Sequence, residues 1–260
     1  MPDTIAFPPL QRPTAEHPLA GLTVLVVEDS RYACEAMRLL CQHSGARLRR
    51  ADSLAAAARH LRVYRPDVLI VDLGLPDGPG EALIADLVQH SARPAVILGT
   101  SGDPLLAPAA LAAGADGFLD KPLPGLAGFQ AALLAYLPEQ ARLVGPVEEP
   151  REEPPLAPDP IALRDDLALA EDILASGPDG PAGDYVSRFL SGLARSAHDR
   201  QLEHAAVRLA HDLRAERGAG AGPPATRREA ALRRVAGLLR DRLAAGAPLW
   251  TESPHPGSGP

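Results

Sequence analysis

The chain has 260 residues, a formal net charge of −7, and 46% hydrophobic but only 3% aromatic residues. The length allows two domains of ~100–150 residues each. The acidic balance excludes a global field for nucleic acid or an anionic membrane, and the scarcity of aromatics excludes a stacking platform for single strands.

The first twenty residues, "MPDTIAFPPLQRPTAEHPLA", are Pro-rich, lack the basic start and apolar run of a signal peptide, and are expected to be a flexible segment, 1–20. From Gly21 the pattern changes. "TVLVVED" is a short apolar run bounded by acids, the mark of a buried strand. "SRYACEAMRLLCQHSG" follows with helical spacing, and Gly45 stops it. Its two cysteines, Cys34 and Cys41, would lie ~10 Å apart along a helix axis, too far to bridge. They read as core residues of a protein in a reduced, cytoplasmic compartment. "ARLRRAD" reads as an edge strand and "SLAAAARHLRVYR" as a helix ended before Pro66. "DVLIVDL" is a second buried strand, "GLPDGPG" a loop, "EALIADLVQH" a helix and "AVILGTS" a third buried strand. Asp103-Pro104 opens another helix, with a cap followed by proline at the first helical position. "DGFLD" is a last strand and "GFQAALLAYL" a last helix.

Alternation of strand and helix predicts an α/β fold: a five-stranded, doubly wound parallel sheet over 21–138, covered on both faces. In such sheets ligands bind beyond the carboxyl ends of the strands. Those ends carry Glu28 and Asp29, then Asp72, then Thr100 and Ser101, then Lys121. Clustered carboxylates repel unless a cation sits among them, and hard oxygen donors suit Mg²⁺. A carboxylate can also act as a nucleophile and take a phosphoryl group, whose other oxygens then require positive charge and a hydroxyl. Lys121 is the single lysine among 26 basic residues, the rest being arginine. A compact ammonium differs from a planar guanidinium fork in what it can fit between, so the exception points to a geometric demand at position 121.

The motifs "VVEDS", "VDLGLPDGPG", "VILGTSGD" and "GADGFLDKPL", in this order, resemble the receiver domain of bacterial two-component response regulators. The resemblance covers about residues 21–138 and implies a flavodoxin-like receiver fold. It implies that Asp72 is the phosphoacceptor, that Asp29 binds Mg²⁺ directly with Glu28 acting through water, and that Asp72 and the backbone carbonyl of Gly74 complete the metal site. It further implies that Thr100 is the switch hydroxyl, Phe118 the aromatic that turns inward on activation, and Lys121 the phosphoryl-binding lysine. The family often carries tyrosine where Phe118 stands, so only the packing half of that switch is expected. Ser101 is bulkier than the residue commonly found after the switch threonine. The implied partner is a sensor histidine kinase or a histidine-phosphotransfer protein, and the implied protein is a phosphoprotein switch rather than an enzyme.

Residues 139–160 are Pro- and Glu-rich and read as a semi-extended linker. Beyond them, apolar stripes predict four helices, at 161–175, 184–197, 200–216 and 227–244, which form a small all-α bundle over 161–246. Thr226 and Glu229 suggest a capping box. Residues 247–260 read as a disordered tail. The bundle lacks a winged-helix or helix-turn-helix pattern, so DNA is not expected as a partner, although a divergent DNA-binding bundle remains the alternative. Membrane binding is not expected. A protein partner of the bundle is expected, and a homodimer is compatible with the pattern. "LAHDLRA" faintly resembles the histidine-phosphotransfer motif, with His211 as the relay residue. Arg214 stands in place of its lysine and Ala215 in place of its glycine. The other reading of His211 is a surface histidine on a helix that binds a partner.

Overall fold

The computed structural model describes residues 12–91, 93–138, 158–178, 180–218 and 225–245. The chain divides into two compact units, Met1–Asp29 with Ala33–Pro158, and Ser30–Tyr32 with Asp159–Pro260.

The first unit is built on five parallel strands: β1 (Thr23–Val27), β2 (Arg47–Ala51), β3 (Val68–Asp72), β6 (Val96–Ser101) and β7 (Gly117–Asp120). Their order is β2-β1-β3-β6-β7. Between the strands run α1 (Arg31–His43), α2 (Leu54–Val63), α3 (Gly80–Val88) and α4 (Ala107–Ala112), and α5 (Leu126–Tyr136) closes the unit. The period-2 alternation of strand side chains divides the core in two. Val24, Val26, Val68, Ile70, Val96 and Leu98 pack with Met37 and Leu40 of α1 and Phe129 and Leu133 of α5. Leu25, Val27, Leu69, Val71 and Ile97 point the other way, toward Ala57 of α2, Ile84 of α3 and Ala110 of α4. Strands buried on both faces read as continuous apolar runs, which is why β1, β3 and β6 were legible. β2, with Arg47, Arg49 and Arg50 exposed, is the edge strand its sequence suggests.

Two features depart from the sequence reading. "GLPDGPG" contains a short antiparallel ribbon, β4 (Gly74–Leu75) paired with β5 (Gly78–Pro79). The 1–20 segment is not flexible throughout. Residues 1–11 lie outside the described residues, but Pro18–Ala20 are buried. Leu19 is 0% exposed and joins the core beside α1, while its amide donates to the Ser44 carbonyl at 2.9 Å. The Pro-rich composition concealed one anchoring leucine, so the folded unit begins before Gly21.

The second unit is a bundle of α6 (Pro160–Ala175), α7 (Gly180–Ser196), α8 (Arg200–Gly218) and α9 (Ala225–Ala245). α7 packs on α8, α8 on α9, α9 on α6 and α6 on α7, which closes the ring. Leu163, Leu167 and Ala170, then Val186, Phe189, Leu190 and Leu193, then Leu202, Ala206, Leu209 and Leu213, then Val235 and Leu239, form one core. Asp159 caps α6, accepting from the Ile161 amide at 2.8 Å ahead of Pro160. Asp199 caps α8 through the Leu202 amide and also accepts from the Arg242 guanidinium of α9 at 2.5 and 3.0 Å. The suggested capping box rests on the side chain of Thr226, which lies outside what is described; Glu229 pairs with Arg233 at 2.8 Å. Most of the expected linker (139–157) and the tail (247–260) lie outside the described residues. Among the described residues, no helix is long and apolar enough to cross a membrane.

Candidate functional site

The strand order reverses at β1 and β3, since β1 connects to β2 on one side and β3 connects to β6 on the other. Chain connections leave in opposite directions there, and a crevice opens at the strands' carboxyl ends. Glu28 and Asp29 follow β1, and Asp72 ends β3. One carboxylate oxygen from each lies within 4.8 Å of the others. A divalent ion held by two of them directly and by the third through water fits that span, and the all-oxygen donor set suits Mg²⁺.

Lys121, just past β7, reaches into the same crevice. Its Nζ stands 2.5 Å from Glu28 Oε2 and 3.4 Å from Asp72 Oδ1. All three side chains are buried: Glu28 is 1% exposed, Lys121 6% and Asp72 8%. Burial pushes the Glu28 carboxyl up, to about 8, against the pull of the Lys121 ammonium, and the Asp72 and Asp29 charges add to the rise. Burial alone would lower Lys121, but Asp72 and Glu28 together hold it above its ordinary value. The ammonium is therefore the fixed charge of the site. It stands closer to Glu28 than to Asp72, a partner the sequence reading did not give it.

The remaining residues surround this core. β3 and β6 place Asp72 directly opposite Thr100. Thr100 is fully buried, and its hydroxyl donates to the Leu119 carbonyl at 2.8 Å, so it must rotate to reach a group on Asp72. Ser101 instead accepts from the Asp103 amide at 3.0 Å, in the turn that leads to α4. Phe118 is half-buried opposite Gly99, where any side chain would crowd the ring; a Cβ on Gly99 would lie 3.2 Å from Phe118 Cδ2 and 2.7 Å from Ala110 Cβ. Gly74 lies beside Asp72, with its missing Cβ position 3.6 Å from Asp72 Oδ2. Glu28, Asp29, Asp72, Gly74, Thr100 and Lys121 thus share one end of the sheet. His211 belongs to the other unit.

Two positioning residues escaped the sequence reading. A Cβ on Gly80 would lie 2.1 Å from the Asp72 carbonyl oxygen, so only glycine lets α3 start against the end of β3. The "GPG" string was the available signal. Asp77 turns back to cap α2, accepting from the Leu54 and Ala55 amides at 2.9 Å each, which pins the loop after Asp72. Nothing in the order of residues announces a cap for a helix 23 positions earlier.

Residues 24–131 match the family described as "Response regulator receiver domain". The chain is 37% identical over 123 residues to the KDP operon transcriptional regulatory protein KdpE of Escherichia coli (strain K12), covering 47% of this chain and 54% of that protein. It is 35% identical over 112 residues to the transcriptional regulatory protein KdpE of Mycobacterium tuberculosis (strain ATCC 25618 / H37Rv), covering 43% and 49%. The chain spans about half the length of the curated relatives it matches. Among solved structures it resembles a response regulator receiver domain (CheY-like) from Methylobacillus flagellatus, at 25% identity and a TM-score of 0.40, covering 44% of this chain and 98% of that one. The expectation that DNA is not a partner finds no support here, because the named relatives are transcriptional regulators.

Proposed function

We propose that the chain is the response regulator of a two-component phosphorelay. It takes a phosphoryl group on Asp72 from a sensor histidine kinase or a histidine-phosphotransfer protein and conveys that state to its helical unit. The observation that carries the proposal is the convergence of three carboxylates, two of them buried and Asp29 half-buried, with one buried ammonium at the switch point of the sheet. Asp29, Asp72 and the Gly74 carbonyl would hold Mg²⁺, with Glu28 acting through water. The ion would supply charge neutralisation for the incoming phosphoryl oxygens. The Asp72 carboxylate attacks phosphorus while the bond to the donor breaks. Lys121 then exchanges part of its hold on Glu28 and Asp72 for a phosphoryl oxygen. Thr100 turns from the Leu119 carbonyl toward the same group, and Phe118 moves into the space thereby opened. Such a switch works in the cytoplasm beside its kinase. Acetyl phosphate or phosphoramidate with Mg²⁺ should label one acid- and base-labile site, and Asp72→Asn should abolish it; equal labelling of the variant refutes the assignment.

The helical unit is read as a protein-interaction or relay output. The His211 side chain is 83% exposed on α8, with Nδ1 3.6 Å from Asp212 Oδ1, which is the accessibility a relay histidine needs. Label appearing on wild type but not on His211→Gln, after phosphorylation of Asp72, tests the relay. The second reading, a DNA-binding output, is favoured by the names of the relatives and by exposed Arg227, Arg234 and Arg240 on α9. DNA binding with a steep salt dependence would establish it.

A further inference from the structure

A cleft of about 760 Å³ opens at the opposite end of the receiver sheet from the acidic crevice. It lies where β1 and β2 begin, the length of a five-residue strand, ~16 Å, from their carboxyl ends. Its polar lining is Arg12, Thr14, His17, Arg38, Gln42 and Arg47, and none of the described residues that line it carries a carboxylate. That is notable in a chain with 33 acidic residues and a net charge of −7. Three guanidinium groups border one concavity, and those of Arg12 and Arg47, with the part of the Arg38 fork that Glu35 does not engage, form a local positive field set against the overall charge.

The cleft is built into the fold. One wall is the segment before β1. Thr14 Oγ1 accepts from the His17 amide at 3.0 Å, the Thr14 amide donates to the His17 carbonyl at 3.1 Å, and buried Leu19 anchors the segment to the Ser44 carbonyl. The opposite wall is the end of α1 and the start of β2. The two meet over Gly45, whose φ of +80° and missing Cβ, 2.8 Å from His17 Cβ, make glycine necessary. Two of the arginines are oriented. Arg47 donates to the Gly21 carbonyl at 3.3 Å. Arg38 donates to Gln42 Oε1 at 2.7 Å and to both Glu35 oxygens at 2.6–3.0 Å, so part of its fork is engaged beside the cleft.

We propose that this cleft binds a compact polyphosphate anion. Guanidinium forks match phosphate oxygens bidentately, and several of them around one cavity suit a ligand with more than one phosphate group. The ligand is either a free polyphosphate or the phosphate chain of a nucleotide. The volume falls within the range of small-molecule sites, and Ala20, Ala46 and Leu48 offer an apolar floor on which a nucleoside could rest.

The test is calorimetric titration of the full chain, without Mg²⁺, using inorganic tripolyphosphate in one arm and a nucleoside triphosphate in the other. The Asp72→Asn variant serves as a control that leaves this cleft intact. The expected result is saturable binding with a dissociation constant below ~1 mM, unchanged in Asp72→Asn. Arg12→Gln and Arg47→Gln each weaken it at least ~5-fold, and raised salt weakens it too. Glu35→Gln, which releases the Arg38 fork, tightens it at least ~2-fold. Tighter binding of the nucleoside triphosphate identifies a nucleotide site; equal binding identifies a site for the phosphate chain alone. No saturable binding, wild-type affinity in either arginine variant, or a Glu35→Gln affinity no better than wild type overturns the proposal. The exposed arginines leave the melting transition of their variants unaltered.

Discussion

Lys121→Arg keeps the charge at the site and changes only its shape. The lysine ammonium reaches Glu28 Oε2 at 2.5 Å and Asp72 Oδ1 at 3.4 Å through a space that leaves Lys121 almost wholly buried. A guanidinium is wider, longer and planar. With Glu28 also buried, the excess volume must be taken up by the surrounding chain, and overpacking of this kind costs ~1–3 kcal/mol. The fork can recover part of that cost by pairing bidentately with Glu28 or Asp72, so the net loss is set at ~1–2 kcal/mol. In a unit of this size, a loss of that magnitude lowers the melting temperature by ~3–8 °C. The same pairing occupies an Asp72 oxygen that, in the proposed function, would either hold the ion or attack phosphorus, so phosphorylation by acetyl phosphate should slow by ~10-fold, equivalent to ~1.4 kcal/mol. The measurements are calorimetric melting of the full chain and the phosphorylation rate at several Mg²⁺ concentrations. A melting temperature within ~1 °C of wild type, with a rate within a factor of ~2, would show that any cation serves at 121 and would refute the argument from shape. Lys121→Met is the complementary variant. It fills similar volume but removes the cation, and Glu28 adapts by holding a proton, as its raised pKa allows. Its fold should therefore survive while phosphorylation is lost.

Gly80→Ala places a Cβ 2.1 Å from the Asp72 carbonyl oxygen, so the end of β3 must shift; melting should fall by an amount equivalent to ~1–3 kcal/mol and labelling of Asp72 should weaken. Thr100→Ala removes a hydroxyl whose present partner is the Leu119 carbonyl, so labelling of Asp72 should persist while the phosphorylation-dependent change in amide exchange on α4 disappears. Asp199→Ala removes the α8 cap and the partner of Arg242 together, and denaturant unfolding should show a loss of ~2–3 kcal/mol. The same residue sets a pH dependence. Burial raises its pKa, but bonds from Arg242 and from the Leu202 and Gln201 amides outweigh that, so the folded value lies below 3.8. The stabilisation is thus present above about pH 4 and is lost as pH falls through the folded value; Asp199→Ala should flatten that acid limb of the stability curve.

The receiver fold was legible because its central strands are buried on both faces and its site residues fall at strand ends. A residue's place in a strand then fixes its place in space, as for Glu28, Asp72, Thr100 and Lys121. The bundle was legible for a similar reason, each helix carrying one apolar stripe, as Leu202, Ala206, Leu209 and Leu213 do on α8. What escaped depends on contacts between residues far apart in sequence. Asp77 caps a helix it follows by 23 positions, Gly80 is required by a carbonyl eight residues earlier, and Leu19 is buried despite its Pro-rich surroundings. Each is a short-range rule acting across a fold that must already exist. Composition gives such residues no signature beyond a glycine or an acid in a turn.

The reading of Lys121 was incomplete for a related reason. Its oddity was visible as the one lysine in an arginine-rich chain, and that pointed toward Asp72. The crevice adds Glu28, buried more deeply than either and closer to the ammonium. A lysine shared by two carboxylates is held without committing to Asp72, whereas an arginine fork could close on Asp72 and compete with the phosphoryl group of the proposed function. The geometry therefore ties three roles to one side chain. It offsets the burial of Glu28, it leaves an Asp72 oxygen accessible, and it keeps a charge within reach of whatever Asp72 acquires. Only the last of these required phosphorylation chemistry to predict. The first two follow from placing a carboxylate where water cannot reach it, and they explain why the arginine bias of the rest of the chain stops at this position.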